Sequence, residues 1–187
     1  MIPPKKKRSF INLFSPAAKA AYAWVNNPDT KFDPPTYKIT ILIPEGSEAD
    51  AFEAAITDAM KKCAEKDGTK LKKGNISIPI KRWEDDDEEK RKPEFQGYVR
   101  FSFKSSRKPA LKDSRNKDLP EDVYPMSGDV VRVAFGVSAW ATPMGSGASC
   151  RLAGVQLIEK NNTGSSQTNF EEYEGGFTAS DEGDETL

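Results

Sequence analysis

Two segments of the chain alternate between apolar and polar residues, which is the period of a strand with one buried face. They span residues 96–104 and 129–141. The predicted inner faces carry Val99, Phe101 and Phe103 in the first strand and Val131, Val133, Phe135 and Val137 in the second. The predicted outer faces carry Tyr98, Arg100, Ser102 and Lys104 in the first strand and Arg132, Ala134, Gly136, Ser138 and Trp140 in the second.

Residues 47–66 follow another period, because apolar residues return every three or four positions and form one stripe. The stripe consists of Phe52, Ala55, Ile56, Ala59, Met60 and Cys63. Ser47 is a good N-cap and Gly68 a good C-terminal stop, so this segment is predicted to be a helix. Cys63 lies on the stripe and is predicted to be buried.

Shorter runs predict the remaining strands. Residues 37–43 and 76–80 read as strands, and a first strand is expected to begin within residues 9–13. The last strand should cover residues 150–158, where Gly154 indicates a bulge or a close backbone approach. Strong turn signals lie at residues 26–29 and 33–35.

About five strands and one helix predict a mainly β protein. A five-stranded, OB-fold-like barrel with one capping helix fits this count, and the pattern alone leaves an open sandwich as the alternative. Residues 1–8 are predicted to form a basic arm and residues 9–160 the domain. Residues 161–187 are predicted to be a flexible linker and a disordered acidic tail.

The net charge of −1 hides an uneven distribution. Residues 170–187 contain seven acidic and no basic residues, whereas the other 169 residues carry 28 basic and 22 acidic groups, a charge of +6. Six of those acidic groups stand together at residues 84–89. A basic body attracts polyanions, and an acidic tail commonly acts as an interaction arm or competes for the basic surface. The alternative for both acidic runs is that they only keep the protein soluble.

Composition argues against most kinds of catalysis. The chain has no histidine, and Cys63 and Cys150 are too few for a disulfide framework or a zinc site. The segment from Met144 to Gly147 lacks the lysine and spacing of a phosphate-binding loop. No apolar run is long enough to span a membrane, and residues 1–8 lack the apolar stretch expected of a secretory signal. We therefore expect no enzymatic activity, no metal and no cofactor.

The outer strand faces and the basic loops predict a site for single-stranded nucleic acid, in which cations contact phosphates and rings stack on bases. The candidate residues are Tyr98, Arg100, Lys104, Arg132, Trp140, Lys81, Arg82, Trp83, Arg107 and Lys108. The alternative is structural: Trp140 would be core at a sheet edge, Tyr98 an ordinary sheet residue and Trp83 a plug at the barrel end. Tyr22 and Trp24 lean towards such a structural role.

The chain also resembles a known family, the bacteriophage-encoded single-stranded DNA-binding proteins. The resemblance covers roughly residues 10–160 plus the tail, and it rests on short motifs in a fixed order. These motifs are Tyr22 to Phe32 (YAWVNNPDTKF), Tyr37 to Leu42 (YKITIL), the helix, Pro79-Ile80-Lys81 before an acidic stretch, Phe95 to Tyr98 (FQGY), Tyr124 to Asp129 (YPMSGD) and the acidic tail.

This resemblance implies an OB-fold that coats single-stranded DNA during phage replication and recombination in the cytoplasm of the infected bacterial host, often as a homodimer. It implies a tail that occupies the DNA groove when DNA is absent and contacts replication proteins such as polymerase or helicase. The implied tail residues are Glu171, Glu172, Glu174, Phe177, Asp181, Glu182, Asp184, Glu185 and Leu187. Unlike the best-known relatives, this chain does not end in an aromatic residue.

Two other functions fit parts of the sequence. The run Pro4 to Arg8 resembles a nuclear localisation signal, and an acidic tail is found on histone chaperones, so a nuclear protein-interaction module is one alternative. A nuclease that binds Mg²⁺ through the carboxylates of residues 84–89 is the other. Six adjacent carboxylates repel one another, which argues against this metal site.

Overall fold

Nine strands and one helix make up the part of the chain that a computed structural model describes, residues 8–74 and 76–161. In chain order they are β1 (Ile11–Phe14), β2 (Ala18–Asp29), β3 (Thr36–Pro44), α1 (Ser47–Asp67), β4 (Ile76–Ser77), β5 (Ile80–Lys81), β6 (Tyr98–Ser105), β7 (Ala110–Lys112), β8 (Val130–Thr142) and β9 (Gly145–Glu159). Three short 3-10 turns lie between β5 and β6.

Five of the strands close into a ring in the order β2-β3-β6-β9-β8. The contact between β6 and β9 is parallel and rests on one registered pair, Lys104 with Arg151, whereas the other neighbours are antiparallel. Two pairs between β2 and β8 complete the ring. This partly open five-stranded barrel confirms the predicted OB-fold. The four remaining strands lie outside the ring, β1 on β8, β5 on β6, and β4 and β7 on β9.

The alternating segments bury the predicted faces inside the ring, and α1 covers one of its ends. The ring centroid of Phe52 on the helix lies 4.8 Å from that of Phe101 and 5.8 Å from that of Phe135. Cys63 is buried as predicted, and its thiol donates to the carbonyl of Val137. Gly68 ends the helix in the left-handed conformation, with φ 67°. The predicted capping helix is therefore confirmed.

Details of the helix differ from the prediction. Gly46, and not Ser47, occupies the N-cap position, and no side chain caps the helix there. Ala55 belongs to the predicted stripe but is exposed.

Strand β2 is longer than the sequence predicts, because it passes through the predicted turn at residues 26–29. The pairing between β2 and β3 is irregular between Trp24 and Asp29, and Pro28 lies in this irregular part. The missing backbone N–H of a proline is tolerated where the ladder is interrupted. The chain reverses instead at residues 30–35, where the second turn signal lies.

Glycines in β9 allow two neighbouring strands to approach it closely. A Cβ atom on Gly154 would lie 3.2 Å from the carbonyl oxygen of Ala110 in β7, and the pairing with β8 shifts by one residue at the same place. Both predictions for Gly154, a bulge and a close approach, are confirmed. At Gly147 a Cβ atom would lie only 1.9 Å from the carbonyl oxygen of Ser77, so β4 rests directly on the β9 backbone.

The predicted basic arm up to residue 7 and the predicted tail from residue 162 lie outside the described residues. The tail candidates from Glu171 to Leu187 therefore remain predictions.

Candidate nucleic-acid interface

A groove of about 1050 Å³ runs across the outer face of the ring. Five cationic side chains line it, and its described lining includes no Asp or Glu. The cations are Arg8, Lys38, Lys104, Arg107 and Arg151. Three partly or largely exposed rings, Phe10, Tyr22 and Trp140, lie among them, and hydroxyl side chains such as Thr40 and Ser102 make up much of the floor. We call this surface the groove.

Strand pairing places two of these cations side by side. Lys38 on β3 is directly opposite Lys104 on β6. The next pair along these strands that faces the same side is Thr40 with Ser102, whose hydroxyl oxygens are 3.0 Å apart. Like charges directly opposite each other in a strand pair are unfavourable for folding. This arrangement costs stability in the free protein and suits an anionic ligand.

The charge of Lys38 is offset within the protein, whereas other groove cations have no such partner. The Nζ atom of Lys38 lies 2.6 Å from Oδ2 of the buried Asp29, and this hydrogen bond lowers the pKa of Asp29. Among the described residues, Lys104, Arg107 and Arg151 form no ion pair. These three cations are therefore available to phosphate groups.

Tyr22 reaches the groove because β2 contains an extra residue. Ala21 pairs with Thr40 and Trp24 with Lys38, so three steps along β2 match two along β3. Tyr22 lies in this bulge with a φ of 49°, in the left-handed region that bulky residues rarely adopt. Its ring is 41% exposed, and the Nζ atom of Lys92 donates to its hydroxyl oxygen at 2.7 Å. The bulge turns the ring away from the core and into the groove.

The other two rings stand on β8 and in front of β1. Trp140 is half-buried near the end of β8. Phe10 is 43% exposed and covers Gly136, where a Cβ atom would lie 3.2 Å from its Cδ1 atom. The guanidinium carbon of Arg151 lies 5.0 Å from the centroid of the Phe10 ring. A ring beside a cation is the pair that a nucleotide requires, one for the base and one for the phosphate.

Three of the ten predicted binding residues line the groove, namely Lys104, Arg107 and Trp140. Lys108 follows Arg107 and is exposed outside the lining, where its Nζ atom donates to the side-chain oxygen of Asn26 at 3.1 Å. The other six predicted residues lie elsewhere.

Two predicted rings pack inside the cluster beneath a strap formed by residues 82–97: Trp83 belongs to the strap, and Tyr98 lies on β6. The strap crosses the outer face of β2, β3 and β6, where Ala21, Leu42 and Phe95 are buried and the two rings pack against them. The guanidinium carbon of Arg91 lies 4.7 Å from the centroid of the Trp83 ring. This cluster adjoins the groove at Tyr22, whose ring centroid lies 5.8 Å from that of Phe95, but neither Trp83 nor Tyr98 lines the groove. The packing of Trp83 and Tyr98 in the cluster favours the structural alternative for both rings.

Three predicted cations, Lys81, Arg82 and Arg100, pair with carboxylates around the strap. Arg100 Nη2 lies 2.5 Å from Oδ2 of Asp86, and Lys81 Nζ lies 3.6 Å from Oδ1 of the same carboxylate. Burial raises the pKa of Asp86, but the hydrogen bond and charge of Arg100, helped by Lys81, lower it below its ordinary value. The acidic run therefore supplies the anion that fastens the strap to β6.

Arg82 ties the strap to the helix. Its Nη2 atom lies 2.8 Å from Oε2 of Glu53 and 3.4 Å from Oδ1 of Asp50. The hydrogen bond to Glu53 raises the pKa of Arg82.

Arg132 is exposed on β8 and is not part of the groove lining. Its Nε atom donates to the carbonyl of Ser15 at 3.3 Å, and its guanidinium carbon lies 6.0 Å from the centroid of the Phe14 ring.

Several groove residues do not follow from the sequence pattern. Tyr22, for which the sequence favours a structural role, lines the groove and is 41% exposed. Trp24, for which the sequence also favours a structural role, is 43% exposed but lies outside the groove lining. Phe10 and Arg151 belong to none of the motifs, whereas Lys38 lies in the YKITIL motif but is not among the predicted binding residues.

The carboxylates of residues 84–89 are directed to different cations. Asp86 pairs with Arg100 and Asp87 with Lys90, while Asp85 accepts from the backbone N–H of Arg82. Over the described part of the chain, no three His, Cys, Asp or Glu residues are grouped so that they could hold a metal ion. In that same part, no helix is long and apolar enough to cross a membrane.

An OB-fold ring with a cationic and aromatic groove on its outer face defines the class of OB-fold proteins that bind oligonucleotides. A family model described as "Enterobacter phage Enc34, ssDNA-binding protein" matches residues 5–187, and the chain belongs to this family. The resemblance to bacteriophage single-stranded DNA-binding proteins is thereby confirmed. No sequence among the curated proteins matches significantly.

Solved structures of related proteins share the fold. The single-stranded DNA-binding protein from bacteriophage Enc34 in complex with ssDNA is 20% identical, with a TM-score of 0.62 over 86% of this chain and 96% of that chain. A C-terminal truncation of the same phage protein is 19% identical, with a TM-score of 0.61 over 86% and 95% of the two chains. The gp2.5 protein encoded by bacteriophage T7, a single-stranded DNA-binding protein, is 17% identical, with a TM-score of 0.59 over 91% and 100%.

Proposed function

We propose that this phage protein binds single-stranded DNA in the groove, without sequence preference and without catalysing a reaction on it. The observation that carries this proposal is the combination of three exposed or half-buried rings with five cations in a lining that has no carboxylate among its described residues. Rings stack on any base, and cations follow any phosphate chain, so such a surface is tolerant of sequence.

The acidic tail has the charge to compete for this groove. Residues 170–187 carry −7, close in magnitude to the +6 of the other 169 residues. In this proposal the tail screens the groove until DNA, a denser polyanion, displaces it, and the freed tail then contacts replication proteins such as polymerase or helicase. The setting is DNA replication and recombination in the cytoplasm of an infected bacterial cell, with the protein acting as a homodimer.

The test is a fluorescence titration of the three tryptophans with oligo-dT at several salt concentrations. Full-length protein is compared with a variant that lacks residues 170–187. We expect salt-sensitive quenching in both proteins and tighter binding by the shortened one. Absence of binding by both would refute the DNA-binding function, whereas weaker binding by the shortened protein would refute only the competitive role of the tail.

A further inference from the structure

Strand β1 lies outside the ring, yet it runs along β8 beside the groove. Asn12 pairs with Gly136 and Phe14 with Ala134 in an antiparallel register. Directly paired residues of neighbouring strands point to the same side of a sheet. Asn12 and Phe14 are exposed on the outer side, whereas Ile11 and Leu13 pack against the core.

The outer side of β1 repeats one arrangement of a ring and a cation. Phe10, just before the strand, lies in the groove with the guanidinium of Arg151 5.0 Å from its centroid. Phe14, at the end of the strand, is 68% exposed and has the guanidinium of Arg132 6.0 Å from its centroid. The hydrogen bond from Arg132 to the carbonyl of Ser15 holds that cation beside the ring.

An exposed phenylalanine of this kind contributes little to the fold, since most of its ring remains in water. Arg132 forms no ion pair with any described residue, so its charge is available as well. A free ring face with a cation at its side can stack on a base and contact the adjacent phosphate.

We propose that β1 continues the DNA path beyond the groove and that Phe14 and Arg132 form a further nucleotide site at its end. This inference rests on the proposed function. Phe10 and Phe14 are four residues apart, about 13 Å of extended backbone, so the two rings hold different nucleotides. Asn12 stands between them on the same side and offers an amide to the intervening nucleotide. The occupant assigned to this surface is single-stranded DNA and not a protein, because the surface is cationic and continuous with the groove.

The experiment compares short and long oligo-dT, since the Phe14 site is engaged only by DNA that extends past the groove. Oligomers of about 5 and about 16 nucleotides cover the range of OB-fold sites. In Phe14→Ala we expect unchanged affinity for the short oligomer and a loss of about 5- to 150-fold for the long one, which corresponds to one lost base stack. Trp140→Ala should weaken binding to both oligomers, because Trp140 lies in the groove.

A second variant gives a direct readout. Phe14→Trp keeps an aromatic face, so we expect it to retain affinity and to show additional fluorescence quenching with the long oligomer but not with the short one. Thermal unfolding of Phe14→Ala should match the unsubstituted protein, because the ring is largely exposed.

The outcomes separate this inference from the proposed function. If Phe14→Ala binds both oligomers normally while Trp140→Ala is impaired, the path along β1 is refuted and the groove stands. If DNA binds but neither variant affects its affinity, the path along β1 is refuted and the placement of DNA in the groove fails with it, while the DNA-binding function itself stands. A changed oligomeric state of Phe14→Ala with normal DNA affinity would assign the surface to self-association and also refute the inference.

Discussion

The guanidinium of Arg100 and the carboxylate of Asp86 form an ion pair of 2.5 Å beneath the strap, with only 11% and 14% of their side chains exposed. Alternation along β6 directs Arg100 outward, as the sequence predicts, but the strap covers it and supplies the partner. This cation is therefore part of the architecture that borders the groove.

Removal of one partner of this pair should destabilise the fold. We expect Arg100→Ala to lower the free energy of unfolding by roughly 3 kcal/mol, because the carboxylate of Asp86 would stay largely buried with only Lys81, 3.6 Å away, as a partner. Urea unfolding measures this loss. Lys104→Ala, on the same outer face of β6 but exposed, serves as the matched control and should be at least as stable as the unsubstituted protein, because it removes the like charge opposite Lys38.

The double variant Arg100→Met with Asp86→Leu should recover much of the lost stability, since apolar replacement of a buried pair is often neutral. If Arg100→Ala were as stable as Lys104→Ala, the pair would have no structural role.

Acid should weaken the fold through three carboxylates whose pKa values lie below the ordinary 3.8. A hydrogen bond from Lys38 lowers the pKa of Asp29, and the backbone N–H of Lys117 lowers that of Asp113. Burial raises the pKa of Asp86, but the interactions with Arg100 and Lys81 together bring it below its ordinary value. In acid the unfolded chain then binds more protons than the folded protein. The stability that these three carboxylates contribute is therefore present above about pH 3.8 and is lost as the pH falls through their pKa values in the folded protein.

Urea unfolding at a series of pH values between about 2 and 6 checks this dependence. Asp86→Asn should show a shallower loss of stability in acid than the unsubstituted protein does. Glu88→Gln, an exposed carboxylate of the same acidic run, is the control and should keep the original slope. An unchanged slope in Asp86→Asn would contradict the prediction.

The two central groove rings should each contribute a base stack. We expect Trp140→Ala and Tyr22→Ala to weaken oligo-dT binding by about 1–3 kcal/mol each. Trp140→Phe should retain most of the affinity, because it keeps a ring at the same position. Met126→Ala, which shortens an exposed apolar side chain outside the groove lining, should bind normally. Titrations at one salt concentration measure all four variants, and equal losses in Trp140→Phe and Trp140→Ala would argue against stacking.

The number of cations that contact phosphates determines how strongly the affinity for DNA depends on salt. For single strands, the slope of log K against log salt changes by about 0.7 for each phosphate neutralised. We expect Lys104→Ala and Arg151→Ala each to reduce the slope by about that amount. Lys62→Ala is the control, since this lysine is exposed on the helix and pairs with Asp58. A slope in Lys104→Ala equal to that of Lys62→Ala would remove Lys104 from the DNA site.

Substitution of Gly147 and of Gly136 by alanine should cost different amounts of stability, because different atoms face the new Cβ atom at the two positions. Gly147→Ala should cost about 3 kcal/mol of stability, at the upper end for overpacking, because the obstacle is the Ser77 backbone. Gly136→Ala should cost less, because the ring of Phe10 can shift by a few tenths of an ångström. Urea unfolding of both variants measures the difference, and equal stabilities would contradict the described contact.

The parts of the fold that follow a local period could be predicted from the sequence. The inner faces of β6 and β8 alternate strictly, and the helix stripe repeats every three or four residues, so these patterns identify the core. The turn predicted at residues 26–29 was wrong, because Pro28 and its neighbours lie in an irregular part of a long strand.

The candidate site could be predicted only in part, because its boundaries depend on contacts between distant segments. Lys104 and Trp140 reach the groove by strand alternation alone. Arg100 lies beneath the strap and Trp83 belongs to it, so neither lines the groove. The path of the strap depends on the pairing of Asp86 with Arg100 of β6. Phe10 reaches the groove because β1 pairs with β8, and the sequence of the first residues does not indicate this pairing.

The extra residue in β2 has a consequence for the comparison of related chains. Because side chains along a strand alternate between two sides, removal of one residue near Tyr22 would restore regular pairing and reverse the side on which one flank of the strand projects. A relative that carries the same tyrosine but a one-residue deletion here would lack this ring at its DNA surface. A tyrosine at the aligned position therefore places a ring in this groove only where the extra residue of β2 is also kept.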